Sequence, residues 1–438
     1  MTGAKTMQLA ELERSRVDHR TKGIPGGSNA TALKEIGQRG WNVLKEDLVL
    51  PLAVLRDSAL THNGQWMRRF LEASGALFAP HGKTTMAPQL FKRQLDDGAW
   101  GITVATAQQL AVCRDFGVKR VVMANQLIGR HAIRYVLDEI ARDPQFDFYC
   151  LVDSLDGVRI LAAAAKARGA GRPLQVLLEG GIEGGRTGVR DLATGLAVAR
   201  AVAASRPHLE LRGTEGFEGL LQGKTPEERQ AKVDAFLDFL AELAVKAGQE
   251  GLFGPGDILL SAGGSAFYDR VVERFRQAKV EGAPRIVIRS GCYLTHDDVM
   301  YSQAFKHVLE RSPVARGLGE GLQPALEVWT YVQSRPEFGR ALVTMGRRDA
   351  GADAGWPLPI KWFRPGVHDR PQAIGPGHVC VGMNDQHGYL DLPVGSPLKV
   401  GDLVAFGVSH PCTTFDSWQV LYVVDDDYNV TDAIRTFF

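Results

Sequence analysis

Short apolar runs recur along this chain at a spacing that few folds can accommodate. After a lead-in strand at 52–55 and a helix at 66–73, they fall at 76–79, 102–105, 120–124, 146–152, 174–179, 209–217, 258–262 and 285–293. Between them lie helical patterns such as 161–167 and 231–247, so the period of the apolar positions switches repeatedly between buried strand and helix. Eight strands alternating with helices over roughly 240 residues is the count and length of a (β/α)8 barrel of the TIM type. A doubly wound open sheet is the rival arrangement. The barrel is preferred because the glycine-rich stretches 261–265 and 290–293 follow the seventh and eighth strands, where barrels often bind phosphate.

From about residue 320 the texture changes to short strands with Gly and Pro turns, at 325–332, 340–345, 377–383, 403–408 and 419–424. With no helical stretch of comparable length, this segment reads as a separate β domain. Residues 1–45 are polar, carry Gly23, Gly26 and Gly27, and read as an extension with little core of its own. The expected division is therefore an N-terminal extension over 1–45, a barrel over 46–320 and a β-strand domain over 321–438.

Composition narrows the function. With 45% hydrophobic and 23% charged residues among 438, the chain reads as an ordinary soluble globular protein. Its formal net charge of +1 argues against nucleic acid or an anionic membrane as partner, since both call for a concentrated basic face. Small-molecule chemistry is the better expectation. Five cysteines, at 113, 150, 292, 380 and 412, are an odd number without close pairs, which speaks against a disulfide framework or a CxxC zinc knuckle. No segment is apolar for the roughly 20 residues that a membrane span needs, and the N-terminus lacks the apolar core of a signal peptide. The expected location is the cytoplasm.

The candidate chemical centre is Lys83, in Pro80-His81-Gly82-Lys83-Thr84. The run 75–80 is too apolar for a loop, Gly82 permits a sharp turn, and Thr84 or Thr85 ahead of Pro88 reads as a helix cap with proline in the first turn. The helix should run to Asp97 and stop at Gly98. An amine held at a strand end against apolar residues loses its proton more easily than one in water, as a Schiff-base lysine requires.

Other residues gather around this idea. Ser261, Gly263, Gly264 and Ser265, with Gly291 and Cys292, form a candidate anion cradle, although each loop alone could be a plain turn. Arg186 follows the fifth strand and Arg289 lies in the eighth run; either could face a heterocycle nitrogen or carboxylate, or form a surface ion pair. His410 and Cys412 stand two apart, which in an extended segment puts both side chains on one face. Imidazole with thiolate suits Zn²⁺, and two ligands would leave an open, catalytic type of site. A buried His beside an inert Cys remains the competing reading. His81 and His387 are further loop candidates, the latter reading more simply as part of a turn.

Taken together, Pro80-His-Gly-Lys83-Thr, Ala124-Asn-Gln126, Gly185-Arg-Thr-Gly188, Ser261-Ala-Gly-Gly-Ser265, Asp385-Gln-His-Gly388 and His410-Pro-Cys412 occur in the order seen in the D-serine dehydratase and D-threonine aldolase family, which this chain resembles over roughly residues 46–438. That family has the alanine-racemase type of fold, a barrel followed by a β domain, usually as a homodimer with a divalent metal near pyridoxal 5'-phosphate. The resemblance implies that Lys83 holds the cofactor, that the 261–265 loop with Gly291 and Cys292 binds its phosphate, and that His410 and Cys412 bind metal, Zn²⁺ or Mn²⁺/Mg²⁺. Aldolases of the family tend to have Asp where Cys412 stands and His where Gly223 stands, and Phe217 replaces the family's usual tyrosine. The expected activity is therefore an ammonia-lyase converting D-serine, or a related D-3-hydroxy amino acid, to a 2-oxo acid and ammonia. A D-threonine aldolase and a non-catalytic carrier of the cofactor are the alternatives.

Overall fold

The computed structural model describes residues 7–438 and contains the barrel that the apolar runs anticipate. Its strands are Leu77–Phe78, Ile102–Val104, Arg120–Gln126, Asp147–Val152, Leu174–Gly180, Leu209–Gly216, Asp257–Ala262 and Ala283–Ile288. Each is parallel to its neighbour, and the eighth returns to the first, with Val287 and Ile288 opposite Leu77 and Phe78. The ring closes between first and second strands through Thr103 N to Pro80 O at 2.9 Å, Trp100 N to Phe78 O at 2.6 Å and a parallel bridge from His81 to Thr103. Ala79, Val122, Tyr149, Leu151, Leu177, Leu259 and Val287 form a small buried cluster of their own, the layered filling that makes such a barrel a packed core. Strands covered on both faces must be apolar throughout, which is why these segments read as continuous runs.

Two local expectations are corrected. The eighth strand ends at Ile288, so Arg289, Gly291 and Cys292 lie in the loop beyond it. The helix after Lys83 spans Pro88–Asp96 with Pro88 at its start, but its N-cap is Ala87, without a side-chain cap. Thr84 and Thr85 instead belong to a short 3₁₀ turn, Gly82–Thr84, and its cap.

The C-terminal strands form an antiparallel sheet ordered Gln372–Ala373, Leu358–Phe363, Leu403–Gly407, Leu326–Glu337, Arg340–Val343, Gly388–Asp391 and Val379–Met383. The 358–363, 388–391 and 430–435 strands escape the sequence reading, since Pro359 and a Gly- and Asp-rich context imitate turns. The lead-in strand Leu52–Arg56 runs antiparallel to Leu326–Trp329 and parallel to Tyr422–Val424, so it completes this sheet outside the barrel ring. Its first four side chains are fully buried, which explains why an apolar strand precedes the alternation. Residues 33–38 lie against the last strand so closely that a Cβ on Gly37 would stand 1.9 Å from Thr431 O.

Candidate active site

The C-terminal ends of the barrel strands and one edge of the β domain enclose a cavity of about 860 Å³. Barrels place chemistry at that end because loop and strand-end side chains from every direction converge there. His81 caps the turn that carries Lys83, its Nδ1 accepting from Lys83 N at 3.4 Å. The Lys83 side chain is open to the cavity but enclosed by its walls, and this desolvation, with Arg186 and Arg289 as like charges, lowers its pKa against the opposing pull of Cys412. Burial likewise holds His81 well below the ordinary histidine range, helped by Lys83.

Beneath Lys83 the strand ends carry buried charge that sequence reasoning passed over. Glu215, near the end of the sixth strand, contacts Arg289; Arg289 also donates to Ser261 Oγ at 3.1 Å and Gly216 O at 3.0 Å. Burial pushes Glu215 up to about 7, against Arg289 and with Glu179 and Glu218 as like charges. Glu179, at the end of the fifth strand, accepts from Thr187 Oγ1 at 2.9 Å and from Gln126, and burial raises its pKa too. A carboxylate interrupting the apolar run Leu177-Leu178-Glu179 was a legible signal, because a charge is placed at a strand end facing inward only at a cost.

The loop expected to cradle an anion faces a carboxylate of the chain itself. The amides of Gly263 and Gly264 converge on the Glu218 carboxylate at 3.0 and 2.8 Å, so the loop already holds an anionic group drawn from the chain itself. Gly264 and Ser265 line the cavity with Gly291 opposite. Ser261 does not; its hydroxyl is committed to Arg289 and to Val287 O at 3.1 Å. Arg186 reaches the cavity and lies 5.0 Å from the Phe217 ring. His387 lies elsewhere, in a turn where Asn384 N donates to its carbonyl at 2.8 Å. The residues fit a phosphate-bearing carbonyl cofactor such as pyridoxal phosphate. Arg186, Arg229 and Arg289 supply cations to the walls, two adjacent amides point at an anion, and among the described residues buried Glu215 Oε2 has no hydrogen-bond partner.

The short helix Pro411–Phe415 begins at His410 and sets Cys412 against the Lys83 turn, its Sγ 3.4 Å from Thr84 Oγ1. The Cys292 side chain points here too, 3.6 Å from Cys412 Sγ. The ligand atoms of Cys292, His410 and Cys412 all lie within 4.8 Å of one another. His410 Nδ1 pairs with Asp353 Oδ2 at 2.7 Å, which leaves Nε2 for the cluster; a carboxylate behind a histidine is how metal-binding imidazoles are usually held. A hydrogen bond from Cys292 and the neighbouring His410 hold the Cys412 thiol far below its ordinary range. His410 sits at about 9, its burial outweighed by Cys412 and Asp353. Two sulfurs and an imidazole are a donor set suited to a divalent transition metal.

Fold and site together define an alanine-racemase-type barrel protein, the architecture of fold type III pyridoxal-phosphate enzymes. The model of the alanine racemase N-terminal domain matches residues 56–255 and that of a putative serine dehydratase domain matches residues 325–424. The chain is thus similar to both domain models in the order barrel, then β domain. It is 23% identical to a D-threonine aldolase from Arthrobacter sp over 380 residues, covering 86% of this chain and 89% of that one. It is 24% identical to a D-threo-3-hydroxyaspartate dehydratase from Delftia sp. (strain HT23) over 384 residues, covering 85% and 93%. A solved D-threonine aldolase from Filomicrobium marinum superposes with a TM-score of 0.74 at 23% identity, over 91% of this chain and 97% of that one.

Proposed function

We propose that this protein is a pyridoxal-phosphate- and divalent-metal-dependent lyase acting on D-3-hydroxy amino acids, with elimination of the 3-hydroxyl to a 2-oxo acid and ammonia as its reaction. The observation that supports the reading is the contact between the Lys83 turn and Cys412 through Thr84 Oγ1 at 3.4 Å, with Lys83, His410 and Cys412 all lining one cavity. Pyridoxal phosphate, when bound, supplies a carbonyl for the substrate amine and an electron sink for charge developing at Cα. A metal at His410 and Cys412 would supply Lewis acidity toward the 3-oxygen.

The chain's own residues do the rest. Lys83 anchors the cofactor and, released from it, takes the Cα proton; the lowering of its pKa by desolvation favours the unprotonated amine that this role needs. Arg186, above the Phe217 ring, and Arg289, fixed by Glu215 and Ser261, orient anionic or heterocyclic groups. The Gly263, Gly264 and Ser265 loop with Gly291 would hold the phosphate, beside the Glu218 carboxylate that accepts from the Gly263 and Gly264 amides. Asp353 keeps His410 turned so that Nε2 faces Cys412. Assembly as a homodimer belongs to the same reading.

One observation favours cleavage of the Cα–Cβ bond instead. Gly223 offers no base for a substrate hydroxyl, but His307, on the helix Met300–Arg311, lines the same cavity and its Nδ1 pairs with Glu310 at 3.0 Å. Incubation with D-serine, D-threonine and D-3-hydroxyaspartate, with 2-oxo acid and glycine assayed separately, decides between the two. Two-oxo acid and ammonia without glycine support elimination; glycine with an aldehyde means aldol cleavage; neither product means a carrier.

A further inference from the structure

We infer that Cys292, which the sequence reading assigned to phosphate binding, is the third protein ligand of the metal site, making it a Cys₂His centre bridging barrel and β domain. The inference rests on the metal reading above and extends it. Cys292 comes from the loop after the eighth barrel strand, whereas His410 and Cys412 follow the strand Leu403–Gly407 of the β domain, 118 and 120 positions later. The fold brings the two sulfurs to 3.6 Å. A tetrahedral Zn²⁺ with bonds of about 2.3 Å separates two sulfurs by roughly 3.8 Å, so the pair stands at chelating distance with little adjustment. All three ligand atoms fit within the 4.8 Å span that one ion can bridge.

The surroundings hold this arrangement rather than merely permitting it. Cys292 N donates to Ser265 Oγ at 3.3 Å, which fixes the loop. Thr84 Oγ1 touches both sulfurs, at 3.4 Å from Cys412 and 3.8 Å from Cys292. Cys292 is buried, and the three side chains are cavity-lining. Gly291 ahead of it has no room for a side chain, since a Cβ would meet Thr84 Oγ1 at 2.5 Å and His81 O at 2.7 Å. Two thiolates and a neutral imidazole balance the charge of a divalent ion, and three protein ligands leave a fourth position open to the cavity, the pattern of catalytic rather than structural zinc. The softness of two thiolates selects Zn²⁺ over Mn²⁺ or Mg²⁺. A thiol from the barrel also ties metal occupancy to the loop that faces the cofactor phosphate.

Zinc-edge X-ray absorption on the holoenzyme counts the ligands directly. The expected result is two sulfur scatterers at about 2.3 Å with nitrogen or oxygen completing the shell, falling to one sulfur in Cys292→Ser. Chelator competition should show at least a tenfold loss of Zn²⁺ affinity in Cys292→Ser and Cys292→Ala, with Mn²⁺ gaining relative to Zn²⁺ in the serine variant. One sulfur in the wild type, or unchanged affinity and sulfur count in both variants, overturns the assignment. If the variants do not fold, the wild-type sulfur count alone decides. A wild type that takes up no metal overturns the assignment as well, while borohydride labelling of Lys83 tests the cofactor reading independently.

Discussion

Replacing Gly291 with alanine should disable this protein far more than it unfolds it. The added methyl would stand 2.5 Å from Thr84 Oγ1, 2.7 Å from His81 O and 3.0 Å from His81 Cβ. Ordinary contact begins near 3.4 Å, so the turn carrying Lys83 must retreat by about 0.7 to 0.9 Å, backbone included. Overpacking of that kind costs about 1–3 kcal/mol, which in a chain of this size lowers the melting temperature by only about 1–3 °C. The same displacement applied to a reacting amine can cost about 100-fold in rate. Turnover should therefore fall by about two orders of magnitude, with weaker retention of the cofactor on gel filtration and a nearly unchanged melting curve. Gly264→Ala is a graded comparison, because its methyl would meet only the edge of the Phe217 ring, at 2.8 Å, which can tilt. Gly317→Ala meets nothing within 4 Å and should change stability by no more than about 0.5 kcal/mol. Wild-type turnover and cofactor retention in Gly291→Ala would refute the argument that the 290–293 loop and the Lys83 turn pack as one rigid unit.

Four further outcomes are expected. Lys83→Ala should lose essentially all turnover while keeping its melting temperature, and borohydride should link the cofactor of the yellow wild-type protein to Lys83, as peptide mapping will show; a label on another lysine ends the assignment. Chelation should abolish 2-oxo acid formation, and added Zn²⁺ should restore it at lower concentration than Mn²⁺, while the yellow colour persists throughout; full activity in a sample shown metal-free by elemental analysis refutes the metal's role. Asp353→Asn should weaken metal binding by about 10–100-fold, because it removes the carboxylate that orients His410, and equal affinity by chelator competition would count against it. Phe406→Ala, at a fully buried position of the C-terminal sheet, should cost about 3–5 kcal/mol in denaturant unfolding.

The eight barrel strands, the β domain and the strand–turn–helix around Lys83 were legible because each is a local property. A buried strand writes its own apolar run, Gly82 and Pro88 write their own turn, and no long-range information is needed to read either. The Glu179 and Glu215 carboxylates were equally visible as charges inside apolar runs, yet one sequence does not show which way a strand-end side chain faces. Three features belonged to tertiary structure alone. The strand 52–56 lies in the C-terminal sheet, since pairing with residues 326–329 and 422–424 depends on the path of the chain and not on its own composition. The Glu218 carboxylate takes the amides of Gly263 and Gly264, 45 and 46 positions away. The Cys292 side chain meets Cys412, because the packing of barrel against β domain brings together two sulfurs that sequence spacing holds 120 residues apart. Periodicity fixes which segments become strands and helices; only the closed ring and the sheet laid across it decide which side chains meet at their ends.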